Sequence, residues 1–351
     1  MRINFILSSF VRSTIFEHIS SYFYKYGKYR IIVTKDPIKN ADVYYYFRPH
    51  LEQQLYSNSI VTVHHDLEED DPNLSIKFFL PRYREASVVV CLNSHQQNLL
   101  KSYGIINTVV IPHGYNDEII SPLPKNFTEK KTIGFFSHYY ARNVKGEDYF
   151  LSLLAKLDSN TIKIVLAGRK RKSLCEAIRS MGYECDLYEA LPYYKYNDLY
   201  SLVNVLIITS KYEGGPASIP EAISTDTPII STKVGMIYDF LDNSNVYLLT
   251  HNIDIDAVTI MDVCFNRKFY KQEKVVLLTW RDVVAQYEKV FLEIGEKPKD
   301  KNNFLISYIS NFVDIYLKRL DYFYHTLYLK KRFKEKLVQI KNVYQLWLIQ
   351  K

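Results

Sequence analysis

Tyr212-Glu213-Gly214-Gly215-Pro216-Ala217-Ser218-Ile219-Pro220-Glu221-Ala222 lies between two apolar runs, Val205-Leu206-Ile207-Ile208-Thr209 and Pro228-Ile229-Ile230-Ser231. The runs are short and rich in β-branched residues, so the segment reads as strand, glycine-rich loop, helix start, strand. Gly214 and Gly215 are expected to let the backbone approach a ligand closely. The following helix start would present N–H groups suited to a phosphate or to sugar hydroxyls. Glu213 and Glu221 flank the loop, and a carboxylate can accept two hydrogen bonds from the vicinal hydroxyls of a sugar or a ribose.

The same alternation extends over residues 2 to about 250. Strand patterns fall at 2–7, 29–34, 42–47, 59–64, 87–92, 108–111, 132–136, 163–167, 204–209, 228–232 and 246–249. Most are apolar at consecutive positions, as in strands buried on both faces of a parallel sheet. Helical patterns at 96–103, 148–156, 172–181 and 220–224 separate them, which implies right-handed crossovers and an α/β, doubly wound architecture. Turn residues between 112 and 129, with Pro122 and Pro124 among them, divide the strands into two groups. Two Rossmann-like domains, 1–118 and 119–275, are expected to face a cleft at the carboxyl ends of their strands. A helical pattern covers 280–294, within a segment 276–299 for which the family resemblance described below implies a crossover helix. A basic amphipathic helical tail follows over 300–351, where Leu305, Ile309, Phe312, Tyr316, Leu320, Phe323 and Leu327 form a stripe of helical period.

Composition narrows the class. With 351 residues, 47% hydrophobic and 24% charged, the chain reads as globular rather than disordered. Cys91, Cys175, Cys185 and Cys264 form no CxxC pair, which argues against a zinc site or a disulfide framework and for a reducing compartment. The apolar start is too short for a signal peptide, and no uncharged run approaches the ~18 residues of a spanning helix. A cytoplasmic location is expected, with a peripheral position on the inner face of the cell membrane as an option. Net charge is +7, and residues 302–351 hold nine Lys/Arg against three Asp/Glu, so the basic character is concentrated in the tail. An anionic membrane surface is the preferred partner for that tail, packing or oligomerisation is the alternative, and nucleic acid is not expected. The acidic run Glu68-Glu69-Asp70-Asp71 reads as a solvated loop, and Asp254-Ile255-Asp256 as a solvated helix face.

Glu213 and Glu221, with Gly-Gly-Pro between them and Pro-Glu-Ala at the end, resemble the signature of the GT-B retaining glycosyltransferases of family four, the "group 1" enzymes. Further pieces occur in the family's order. Ser87–Ser94 resembles the last strand and turn of the first domain, and Val109–Asn116 the "PNGVD" link. Lys145-Gly146 resembles the phosphate-side "KG", Ile164–Gly168 the next strand, and Trp280 the start of the closing helix. The resemblance covers about residues 2–295.

It implies transfer of a sugar from a nucleotide-sugar to a glycan or lipid-linked acceptor with retention, in bacterial surface polysaccharide biosynthesis such as that of O-antigen, lipopolysaccharide or capsule. Carried over position by position, Glu213 would lie against the donor sugar, and Gly214, Gly215, Pro216 and Ala217 would present backbone to the sugar and diphosphate. Glu221 would hold the ribose hydroxyls, and Lys145 with Arg142 would neutralise the diphosphate. The family also borders the cleft with a histidine after the first-domain strand that matches Ile60–Val63 here. Of His64 and His65, His65 is the expected one, with a structural role as its alternative. His113 replaces the family asparagine and reads as a linker residue, and Ser94 as structural. No metal and no cofactor are expected, since this fold uses Arg, Lys and a helix N-terminus for charge.

Two departures stand out. The family arginine about five residues before the lysine is Tyr140 here, with Arg142 nearer and Arg169, Lys170, Arg171 and Lys172 as substitutes. The glycine pair after the first strand is Ser8-Ser9-Phe10. These departures keep a second reading open, a non-catalytic GT-B scaffold acting through its tail.

Overall fold

The computed structural model describes residues 1–8, 13–71, 74–125, 129–265 and 276–296. The first lobe runs β1 (Arg2–Ile6), α1 (Thr14–Tyr26), β2 (Arg30–Thr34), β3 (Val43–Tyr46), β4 (Ser59–Thr62), α2 (Ile76–Glu85), β5 (Val88–Cys91), α3 (Ser94–Ser102) and β6 (Thr108–Val110). The second runs β7 (Lys131–Phe136), α4 (Glu147–Leu154), β8 (Ile162–Ala167), α5 (Lys172–Ser180), β9 (Glu184–Tyr188), α6 (Tyr196–Leu202), β10 (Val205–Ile208), α7 (Ser218–Ser224), β11 (Ile229–Ser231), β12 (Val246–Leu248) and α8 (Ile253–Phe265). Each lobe holds one six-stranded sheet, ordered β2-β1-β3-β4-β5-β6 and β12-β11-β10-β7-β8-β9, with every pairing parallel.

Parallel strands covered on both sides read as near-continuous apolar runs. Val43-Tyr44-Tyr45-Tyr46 is buried at all four positions, as is Val205–Ile208. Side chains alternate across the sheet, so Tyr45 enters one core layer with Phe5, while Tyr44 and Tyr46 enter the other.

The strand order places the clefts. In the second sheet the direction of winding reverses between β7 and β10, and in the first between β1 and β3. Loops that leave adjacent strands in opposite directions open a crevice at such a reversal. The last helix among the described residues, α9 (Trp280–Gly295), then packs on the first lobe. Thr279 and Asp282 form a capping box at its start. Its buried face, Trp280, Val283, Val284, Tyr287, Val290, Phe291 and Ile294, shares a core with Phe5, Phe23 and Tyr45. Trp280 stacks on Tyr22 at 4.5 Å, and the Thr62 hydroxyl bridges the Tyr45 and Tyr287 hydroxyls at 2.8 and 2.9 Å. Both lobes and α9 lie in one compact unit, Met1–Leu51 with Leu55–Lys297.

Four elements are not legible as sequence patterns. β9 is an edge strand of mixed polarity, with an exposed Glu184 and a half-buried Asp186. α1 is rich in aromatic and serine residues of weak helix propensity, and α2 carries Pro81 in its interior. α6 is seven residues long. The tail stripe, and the whole segment assigned to 300–351, lies outside the described residues.

Phe291 is fully buried where α9 meets the first lobe, with ring contacts to Phe5, Phe23 and Tyr287. Phe291→Ala should lower unfolding stability by about 3–5 kcal/mol, read as a reduced urea midpoint.

Candidate functional site

A cavity of about 530 Å³ lies at the carboxyl ends of the strands of both sheets. Its second-lobe wall begins after β7, where Lys145-Gly146 leads into α4. Gly146 has φ +67°, and a Cβ there would collide with the Thr209 carbonyl at the end of β10, so only glycine fits. The Thr209 hydroxyl donates to the carbonyls of Lys145 and Gly146, both at 2.9 Å, and Lys211 N donates to Val144 O at 2.8 Å. The loops after β7 and β10 are thereby joined. The joint brings the Lys145 ammonium onto the Glu213 carboxylate, which also accepts from Ser210 Oγ at 2.7 Å. Both charged side chains are largely buried. Such a pair persists because hydrogen bonds complete it, and removing one partner would strand the other charge.

Glu221, on α7, is 4% exposed. Its Oε1 accepts from Tyr193 at 2.6 Å and its Oε2 from Tyr200 at 2.8 Å. The hydroxyls favour the ionised form, but burial outweighs them and pushes the carboxyl up to about 7. Pro216, Ala217 and Ser218 line the cavity between Glu213 and Glu221.

The first-lobe wall contains Phe16, Arg48, His64, His113 and Trp280. His64 and His113 lie 5.9 Å apart, ring to ring, and the Nε2 of each is buried without a partner. Burial holds His113 down to about 4 and His64 well below its ordinary value, so both rings are neutral near pH 7. The guanidinium of Arg48 lies over the Phe16 ring at 5.0 Å.

Lys145, Glu213, Gly214, Gly215, Pro216, Ala217 and Glu221 thus share one cavity wall. Several expectations need correction. His65 is not in the cavity. It packs on Phe79 at 3.8 Å between ring centres, and burial pushes it down to about 3. His64, one residue earlier, faces the cleft instead. Arg142 is also absent from the cavity and pairs with Glu69 and Asp71 of the first lobe. That pairing corrects the reading of residues 68–71 as merely solvated, since Glu69 is buried and Asp70 accepts from the Tyr212 hydroxyl. Arg171 is fully buried on Glu147 and on Ser137 and His138, which leaves it no phosphate role. Asp256 is no solvated residue either. It is fully buried and accepts from Thr250 N at 2.8 Å and from the Tyr149 hydroxyl, tying the start of α8.

The glycines also have a different role from the expected one. A Cβ on Gly214 would lie 2.5 Å from the His64 carbonyl oxygen, and one on Gly215 would lie 2.7 Å from Leu92 Cδ1. At Gly214 it is the main chain of the opposite lobe, packed against the loop, that requires a glycine, whereas at Gly215 the neighbour is the end of a leucine side chain. Arg48, Tyr193, Tyr200 and the cavity-facing His18 were missed because each lies on an element without a motif, and no sequence signal marks them. Among the described residues no group of three or more His, Cys, Asp or Glu side chains could hold a metal ion, and no helix is long and apolar enough to cross a membrane.

Two facing Rossmann-like lobes with a returning last helix define a GT-B protein. Within its second lobe, residues 130–260, from β7 into α8, match the family model described as "Glycosyl transferases group 1". No curated protein matches the chain. Among solved structures, S. aureus TarM is similar at 19% identity and TM-score 0.52, over 77% of this chain, which spans 55% of TarM's length. Anabaena HepE, solved in complex with UDP and glucose, is similar at 15% identity and TM-score 0.57, over 84% of this chain and 97% of that one. The lipopolysaccharide outer core galactosyltransferase WaaB is similar at 13% identity and TM-score 0.58, over 91% and 100%.

The protonation of Glu221 has a measurable sign. Its carboxyl is raised from 4.5 to about 7, so the folded state holds a proton that the unfolded chain releases. Stability should therefore fall as pH rises from about 4.5 to 7 and change little above that. Relative to Glu221→Gln, wild type should lose about 3 kcal/mol over that window, at ~1.4 kcal/mol per unit. Urea unfolding of both proteins at pH 5, 6, 7 and 8 measures it.

Proposed function

We propose that the protein is a glycosyltransferase moving a sugar from a nucleoside diphosphate sugar to a glycan or lipid-linked acceptor, with retention and without a metal ion. The observation that carries the reading is the single wall on which Lys145, Glu213, residues 214–217 and Glu221 meet, at the reversal point of the sheet in the family-matched lobe.

Breaking the donor's glycosidic bond leaves negative charge on the diphosphate. A preformed positive charge in a partly dry cavity stabilises that charge without reorganising at the moment of reaction. Lys145 supplies it, and an incoming diphosphate competes with Glu213 for the ammonium. Glu213, freed from part of that pairing, lies beside the sugar. Glu221 takes the ribose diol, whose hydroxyls replace those of Tyr193 or Tyr200. His64, neutral, exchanges hydrogen bonds with sugar hydroxyls rather than acting as an acid. The acceptor approaches along the first-lobe wall past Phe16 and Arg48. Bacterial surface polysaccharide assembly is the setting we favour, consistent with neighbours such as WaaB and with WaaG, a glycosyltransferase involved in lipopolysaccharide biosynthesis. We further propose that residues 302–351 meet an anionic membrane surface, where a lipid-linked acceptor would reside.

Two observations favour the second reading, a non-catalytic scaffold. Arg142 is paired away, and both Glu221 oxygens are taken by tyrosines. Calorimetric titration with UDP, GDP and ADP, each with and without EDTA, separates the two. The enzyme reading expects one diphosphate to bind unaffected by EDTA, and Lys145→Ala to weaken it about 10- to 100-fold, the loss of one charge-assisted hydrogen-bonding group. Folded protein that binds none of them would leave only the scaffold.

A further inference from the structure

Three consecutive residues of the second-lobe loop have main-chain groups satisfied by side chains of the first lobe and of the link that follows β6. Glu213 N donates to Asp66 Oδ2 at 3.2 Å. Gly214 O accepts from Asn93 Nδ2 at 3.1 Å. Gly215 O is 2.9 Å from His113 Nδ1, which therefore carries the proton, since a carbonyl can only accept. Asp66, Asn93 and His113 follow β4, β5 and β6, three neighbouring strands of the first sheet. Asn93 is almost fully buried, and its Oδ1 also caps α3 by accepting from Gln96 N at 2.8 Å. Both faces of its amide are thus committed. Where a Cβ would stand on Gly214 and Gly215, His64 and Leu92 of the first lobe press directly on the loop.

A loop with two adjacent glycines has a large conformational entropy to lose and no side chains to hold it. Unsatisfied main-chain groups in a buried setting are costly, so the three side chains select one backbone path. We propose that Asp66, Asn93 and His113 are positioning residues that mould residues 213–215, so that this loop takes its ligand-facing shape only against the first lobe. The inference rests on the reading above only in calling the loop's ligand a nucleoside diphosphate sugar. It gives His113 a task that an asparagine at its place would have to perform with a shorter side chain. The two carbonyls are drawn toward Asn93 and His113.

The test uses the full-length protein in two substituted forms. Asn93→Asp keeps the oxygen that caps α3 and loses the donor to Gly214. His113→Phe keeps the ring beside Trp280 and loses the N–H. Ser94→Ala, which removes a different contact between the lobes, the Ser94 hydroxyl on Asp239, serves as control. Without ligand, amide hydrogen exchange of a peptide containing 213–215 should be about two- to tenfold faster in the first two variants, the effect of one lost hydrogen bond. It should be unchanged in Ser94→Ala, and β10 should stay protected in all three. UDP, GDP or ADP, whichever binds wild type, should weaken by a similar factor in the first two. Unchanged loop exchange in folded Asn93→Asp and His113→Phe overturns the proposal, even if nucleotide binding to wild type upholds the donor site. Faster exchange in a protein that binds no nucleotide keeps the positioning role and removes the donor reading. If Asn93→Asp does not fold, His113→Phe decides.

Discussion

The reversal between β7 and β10 is the constraint from which the site follows. Two parallel neighbours lead their chains away in opposite directions, and no helix can cover the gap at their carboxyl ends. The gap is narrow because Thr209 bonds the carbonyls of Lys145 and Gly146 directly, and Gly146 has no Cβ to keep them apart. One consequence is the juxtaposition of Lys145 with Glu213, residues 68 positions apart. Another is that the Glu213 loop projects outward, where the first lobe can reach it.

The charge of the cavity is set by what burial does to each group. His64 and His113 are kept neutral because an imidazolium would lose its hydration there. Glu221 is drawn toward its neutral form by the same desolvation, against two donating tyrosines. Lys145 is paired there with the Glu213 carboxylate. The cavity therefore offers the Lys145–Glu213 ion pair, the Arg48 guanidinium, a readily protonated carboxyl and neutral hydrogen-bonding rings. That set suits a polyhydroxylated ligand with one concentrated negative charge.

Legibility in the sequence followed the range of the forces involved. The strands of both sheets except β9 could be read because burial on two faces leaves a local mark, a run of apolar β-branched or aromatic residues. The Glu213–Glu221 segment could be read because loop and helix start are local too. His65 against His64 could not be decided, because one residue in an extended chain reverses which side a side chain faces, and the exact end of β4 chooses. Arg142 could not be placed because a long surface side chain goes to the nearest carboxylate, and Glu69 is brought near only by the other lobe. Asp256 looked like one acidic residue of a helix face, and became a buried acceptor because the turn at Thr250–Asn252 folds back over it.

The sequence by itself determined the alternation of strands and helices, the division into two groups, a helix opening at Trp280, and the loop that carries the acidic pair. Each of these depends on residue types at short spacing, where sterics and hydrophobic periodicity act on neighbours in the chain. Only the tertiary structure decided what the glycines are for, which histidine faces the cleft, and which side chains hold residues 213–215. Those answers depend on atoms up to 147 residues apart in the chain being brought within hydrogen-bond distance. A hydrogen bond acts over about 3 Å and leaves no periodic trace in either segment that it joins.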